Sequence, residues 1–94
     1  MFVYTLYNNA YGPQKYKIGK TKNLDTNLII HNKYYLENSY YCHTIKTNNK
    51  NILKIIFIIL NRYKIMDKDI FNCHIDQIKD TFEKSVELSA LLKT

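Results

Sequence analysis

The chain has 94 residues, a formal net charge of +6 and a pI near 9.3, which makes it one small domain, 1–94, with a single modest core. The charge favours acidic partners such as nucleic acid, the alternative being a solvated basic surface with no partner. Two cysteines, Cys42 and Cys73, are too few for a disulfide framework, and the longest apolar run, Ile55 to Leu60, is too short to span a membrane.

The first elements form a hairpin. Phe2 to Leu6 reads as a strand, since Phe, Val, Tyr and Thr suit a pleated, half-buried surface. Asn8 to Pro13 is turn chemistry, and Lys15 to Gly19 returns as a second strand with Tyr16 and Ile18 on one face and Lys17 on the other. Such a hairpin could aim Tyr4, Lys17 and Lys20 into one polar patch. Asn23 is placed to cap a helix from Leu24 to about Lys33, with Asp25 in its first turn and Leu24, Leu28 and Ile29 as its buried stripe. Asn27 and His31, four apart, share a face of that helix; His31 reads there as an exposed side chain.

Glu37 to Ser39 is loop, and Tyr40 to Ile45 a third strand with Tyr41, His43 and Ile45 on its core side. Lys50 to about Tyr63 follows as a second helix that is apolar nearly all round. A buried strand is the competing reading of so many isoleucines; the length of the run decides for a helix. Two adjacent stripes then need cover, so Ile52, Ile55, Ile58 and Ile59 are a candidate interface for a second copy or a partner protein. Phe71 reads as a core side chain and Lys64 as an exposed one. From Ile75 the chain is helical again, with Ile75, Ile78, Phe82, Val86 and Ala90 as the apolar stripe.

Val3-Tyr4, a loop, and then Tyr16-Lys17-Ile18-Gly19-Lys20-Thr21 resemble the opening of the GIY-YIG nuclease superfamily. They are most similar to its T5orf172 branch, in which Lys commonly stands at the second tyrosine, as Lys17 does. The resemblance implies an α+β fold: a small, mainly antiparallel sheet of three strands flanked by helices, in the order β-β-α-β-α-(β)-α. In active members, hairpin tyrosines activate the attacking water, a helix arginine neutralises the phosphate, and a glutamate-held divalent cation stabilises the leaving oxygen. The arginine's place, eight residues after the glycine, holds Asn27. His31 stands where some members also have a histidine. The glutamate's place is Leu53 or Lys54, and no carboxylate lies between Lys50 and Tyr63. Tyr4, Lys17, Asn27 and His31 are therefore expected to be vestigial. The implied function is a degenerate, catalytically inactive nucleic-acid-binding module. Mg²⁺ or Mn²⁺ would enter only if cleavage survived through a relocated carboxylate, for which Asp25 and Glu37 are candidates. Losing two charged elements of such a site costs about 3 kcal/mol each.

Lys15, Lys17, Lys20 and Lys22, with Arg62 and Lys64, could converge at one end of the hairpin as a phosphate-binding set. Two alternatives belong to other classes: an interaction or homodimerisation module on the second helix, and a divergent metal-dependent endonuclease. Cys42-His43 and Cys73-His74 carry zinc-ligand chemistry without the spacing of a zinc site. Neighbours on a regular strand point to opposite faces, so Cys42 and His43 could share an ion only across a bulge. No metal is expected. With no charged leader visible, an intracellular chain is expected. The Lys-, Ile-, Asn- and Tyr-rich composition is that of an AT-rich genome and would suit a viral gene.

Overall fold

A computed structural model describes residues 1–34, 39–65 and 69–92 of the chain. β1 (Phe2–Tyr7) and β2 (Lys15–Thr21) form the hairpin, and α1 (Leu24–Tyr34) follows. β3 (Tyr40–Lys46), α2 (Ile52–Ile59), β4 (Ile70–Asn72) and α3 (Ile75–Leu92) complete the order. The sheet is antiparallel with strand order β3-β1-β2-β4. It thus has four strands where three were expected. The extra one is β4, whose three residues pair with Lys15, Tyr16 and Lys17. So short a strand carries little periodicity, and its pairing to β2 is what defines it.

The hairpin turn is held by Asn8, whose side-chain oxygen accepts from the Ala10 amide at 2.8 Å. Gly12 takes a φ of 95°, a left-handed value that a glycine adopts without steric cost. Alternation then sorts the sheet's two faces. Val3 and Ile18 point into a core shared with Ile52, Ile56, Leu60, Phe71, Ile78 and Phe82, so α2 and α3 cover that face. Tyr4, from the other parity of β1, faces α1.

α1 is capped by Asn23, whose side-chain oxygen accepts from Thr26 N at 3.0 Å. Its inward side differs from the expected apolar stripe: Ile29 is exposed, and the buried residue is His31. Leu24, Asn27 and Leu28 are half-buried beside it. α1 therefore presents mixed polar groups to the sheet, which apolar periodicity does not register.

α2 is shorter than the expected Lys50–Tyr63 helix. It stops at Ile59, and Asn61–Tyr63 tightens into a 3-10 turn. Ile52, Ile56 and Leu60 form its buried stripe; Leu53, Ile55 and Phe57 are half-buried. On α3 the buried positions are Ile78, Thr81, Phe82, Ser85 and Ser89, whereas Val86 and Ala90 face out. α3 packs against α2, and its buried stripe turns onto the small Ser85 and Ser89. Their hydroxyls are satisfied within the helix, Ser85 Oγ donating to Thr81 O at 2.7 Å.

Candidate nucleic-acid interface

β3 does not alternate regularly. Thr5 pairs with His43 and Leu6 with Tyr41, so Cys42 is the extra residue of a bulge. Beyond it the parity flips. His43 packs on Phe82 of α3, but Tyr41 lies on the opposite face, its ring edge-on to Tyr4 at 5.5 Å. Tyr41 therefore does not share the core side with His43 and Ile45. It ties β3 to α1 instead: its hydroxyl donates to Leu24 O at 2.7 Å and accepts from Asn27 Nδ2 at 2.9 Å.

The cluster thus assembled on the α1 face contains Tyr4, Asn27, His31 and Tyr41. Tyr4 Oη sits 3.5 Å from His31 Nε2. Burial pushes the Tyr4 phenol above its ordinary range, opposed by a hydrogen bond from Asn27 and assisted by Tyr41 and Asp69. Burial, and then the Lys17 charge, holds the His31 imidazole below its usual value. Both groups are accordingly neutral near pH 7, the phenol protonated and the imidazole uncharged.

Lys17 and Lys15 share the Tyr4 face, because Tyr4 pairs with Gly19 and alternation carries that face back along β2. They line a cleft of about 440 Å³ with Ala10, Tyr11, Ile65, Asp69 and Ile70. The charge of Asp69 reaches Tyr4, as that of Asp25 reaches Tyr41. Asp69 is also paired with Lys64 at 3.8 Å.

A family model described as the T5orf172 domain matches residues 1–86. The chain belongs to the T5orf172 domain family. No curated protein and no solved structure matches it significantly.

Set against the T5orf172 pattern, the positions separate. Tyr4, Lys17, Asn27 and His31 come together on one face. Lys20 does not join them: an odd step from Lys17, it leaves β2 toward α2, beside Lys50 and Lys54. Lys22 lies near Lys20 and Lys50. Arg62 stacks on Tyr63 at 4.9 Å and donates to its hydroxyl, and Lys64 lies over the Phe57 ring at 5.8 Å. The basic set thus divides between the two faces and the sheet edge, where one patch was expected. Ile52 is inside the core and offers no surface; Ile58 and Ile59 are exposed and Ile55 half-buried.

The divalent cation that the resemblance implies does not fit these residues. Asn27 is neutral and engaged by Tyr41. Leu53 and Lys54 belong to the helix on the opposite side of the sheet from Tyr4, among lysines. Asp25 is exposed at the start of α1, and Glu37 lies outside the described residues. Among the described residues, no group of three or more His, Cys, Asp or Glu could hold a metal ion, the bulged Cys42-His43 pair included.

Sequence reasoning placed Tyr41 in the core and left Lys50 and Lys54 out of the basic set. Tyr41 carried no signal, since a bulge is invisible to a period of two. Lys50 and Lys54 did carry one: four apart, they fall on a single side of the expected Lys50–Tyr63 helix.

Proposed function

We propose that this T5orf172 domain is a nucleic-acid-binding module that grips backbone phosphates on the Tyr4 face and does not cleave them. The observation that carries the reading is the cleft lined by Lys15 and Lys17 on the sheet face that also carries Tyr4, with the Lys17 charge reaching His31. Ammonium groups supply sequence-independent phosphate attraction. The buried Tyr4 and His31, both neutral near pH 7, add no charge of their own beside the lysines. Hydrolysis would need a charge on α1 or a metal-holding carboxylate, and neither Asn27 nor Leu53 and Lys54 supplies it.

The test is fluorescence anisotropy on a labelled DNA duplex across a salt series, with a cleavage assay on the same samples. Replacing Lys15 and Lys17 by Ala should flatten the log–log salt slope by about 1.8, the loss of two phosphate contacts on duplex DNA. No product should form with Mg²⁺ or Mn²⁺. Nicking that depends on either metal and disappears in Tyr4→Phe would overturn the inactive reading; absence of binding at low salt would overturn the binding one.

A second reading, self-association through α2, has one observation in its favour. Ile58 is 66% and Ile59 39% exposed, next to each other on a helix whose Ile52 and Ile56 lie in the core.

A further inference from the structure

We propose that the cleft between the end of the β1–β2 hairpin and α2 is a second phosphate-binding surface, shaped for a single nucleic-acid strand, on the sheet face opposite Tyr4. The proposal shares the partner class of the reading above but not its site.

Lys20 enters this cleft from β2, Lys50 from the turn before α2, and Lys54 from the helix itself. Two adjoining hollows of about 540 and 460 Å³ share Lys20 and Lys50, and the second is bordered by Lys22. No Asp or Glu lines either hollow. Among the described residues the ion pairs are Lys64 with Asp69 and His74 with Asp76, so none of the four lysines has a carboxylate partner. Like charges gathered in a concave site focus a positive potential that an anion relieves.

The floor selects among anions. Phe57 and Ile58 lie beside the lysines; Phe57 is half-buried, its ring packed on Phe71 at 5.4 Å and under Lys64 at 5.8 Å, so the largely exposed Ile58 supplies the open apolar surface. An exposed apolar floor next to a row of ammonium groups suits an unpaired base packed beside its own phosphates. A duplex keeps its bases stacked inside and would leave that floor uncontacted. The cleft therefore fits a single strand better than a double one.

The experiment compares a labelled oligo(dT) with a labelled duplex, for the parent and for two double variants. Lys50 and Lys54 are exposed, so Lys50→Ala with Lys54→Ala should keep the fold. Expected is oligo(dT) binding weakened about tenfold with the salt slope reduced by about 1.4, the single-strand value for two phosphates. Amide resonances of residues 50–58 in the parent should shift on adding oligo(dT). Unchanged oligo(dT) affinity and slope in this variant, with those resonances still, would overturn the proposal. If Lys15→Ala with Lys17→Ala weakens duplex binding at the same time, the Tyr4-face reading survives alone. If that second variant changes nothing while the Lys50 and Lys54 pair does, the Tyr4-face reading falls and the cleft stands.

Discussion

Gly19 is what lets Tyr4 lie flat across β2. A β-carbon there would come within 2.5 Å of the Tyr4 hydroxyl and 2.8 Å of the ring carbon bearing it, closer than real contacts allow. The need is for room, since Gly19 has no left-handed φ. Gly19→Ala should therefore cost about 1–3 kcal/mol in urea denaturation, as overpacked interiors do, and displace Tyr4 from His31. A variant as stable as the parent would mean that the ring yields freely. His31 offers a second check, through pH. Its folded-state pKa is lowered, by burial first and the Lys17 charge second, so the unfolded chain binds the proton more readily. The stabilisation is complete above the ordinary value of 6.5 and is lost as pH falls from there through the depressed folded value. His43 is lowered too, by burial and Lys79 against the pull of Glu83, and contributes in the same window. An NMR titration should find both imidazoles below 6.5, and Lys17→Ala should move His31 alone back upward. His31 titrating at or above that value would refute the geometry described for the cluster.

At the scale of elements, α3 makes the sharpest distinction between what a side chain is and where it sits. Ser85 is fully buried, yet its hydroxyl bonds only one turn back along its own helix. Ser85→Ala should consequently be close to neutral, while Ser85→Leu should lose about 1–3 kcal/mol by overpacking a fully buried position. Thermal unfolding of the two variants decides it; a tolerated leucine would mean that α2 and α3 are loosely seated. The same residue explains why the expected stripe missed. Apolar periodicity ran Ile78, Phe82, Val86, Ala90, four residues at a time, while a helix turns in 3.6, so the inward line slips to Ser85 and Ser89. The hairpin was legible because its turn residues and its alternation agree. α1 was legible as a helix from Asn23 and Asp25, but not in which side faces inward, because Asn27 and His31 are polar. The bulge at Cys42 erased the expected face of Tyr41 and with it the β3 wall of the candidate site. Lys15 and Lys17 could be paired with Tyr4 by counting residues in twos along β2. The same count separates Lys20 from them.

The whole molecule is thin, with extents of 45 × 28 × 22 Å, and its lysines open onto both faces of one sheet. That arrangement sets the two readings of α2 against each other. Pairing two copies through Ile58 and Ile59 would bring each copy's Lys54 and neighbouring Lys50 toward its partner's. At about 0.1 M salt the screening length is about 10 Å, long enough for those ammonium groups to repel across such an interface; at about 1 M it is about 3 Å. Phosphate binding has the opposite dependence, since each contact releases counterions that salt drives back. Self-association and nucleic-acid binding should thus trade places as salt rises. Sedimentation equilibrium is expected to give a monomer at about 0.1 M salt and any larger species only near 1 M. Ile58→Glu should remove that species by placing a carboxylate within the apolar contact. A dimer stable at low salt and dispersed at high salt would contradict the account, because ionic contacts and not Ile58 and Ile59 would then be holding it.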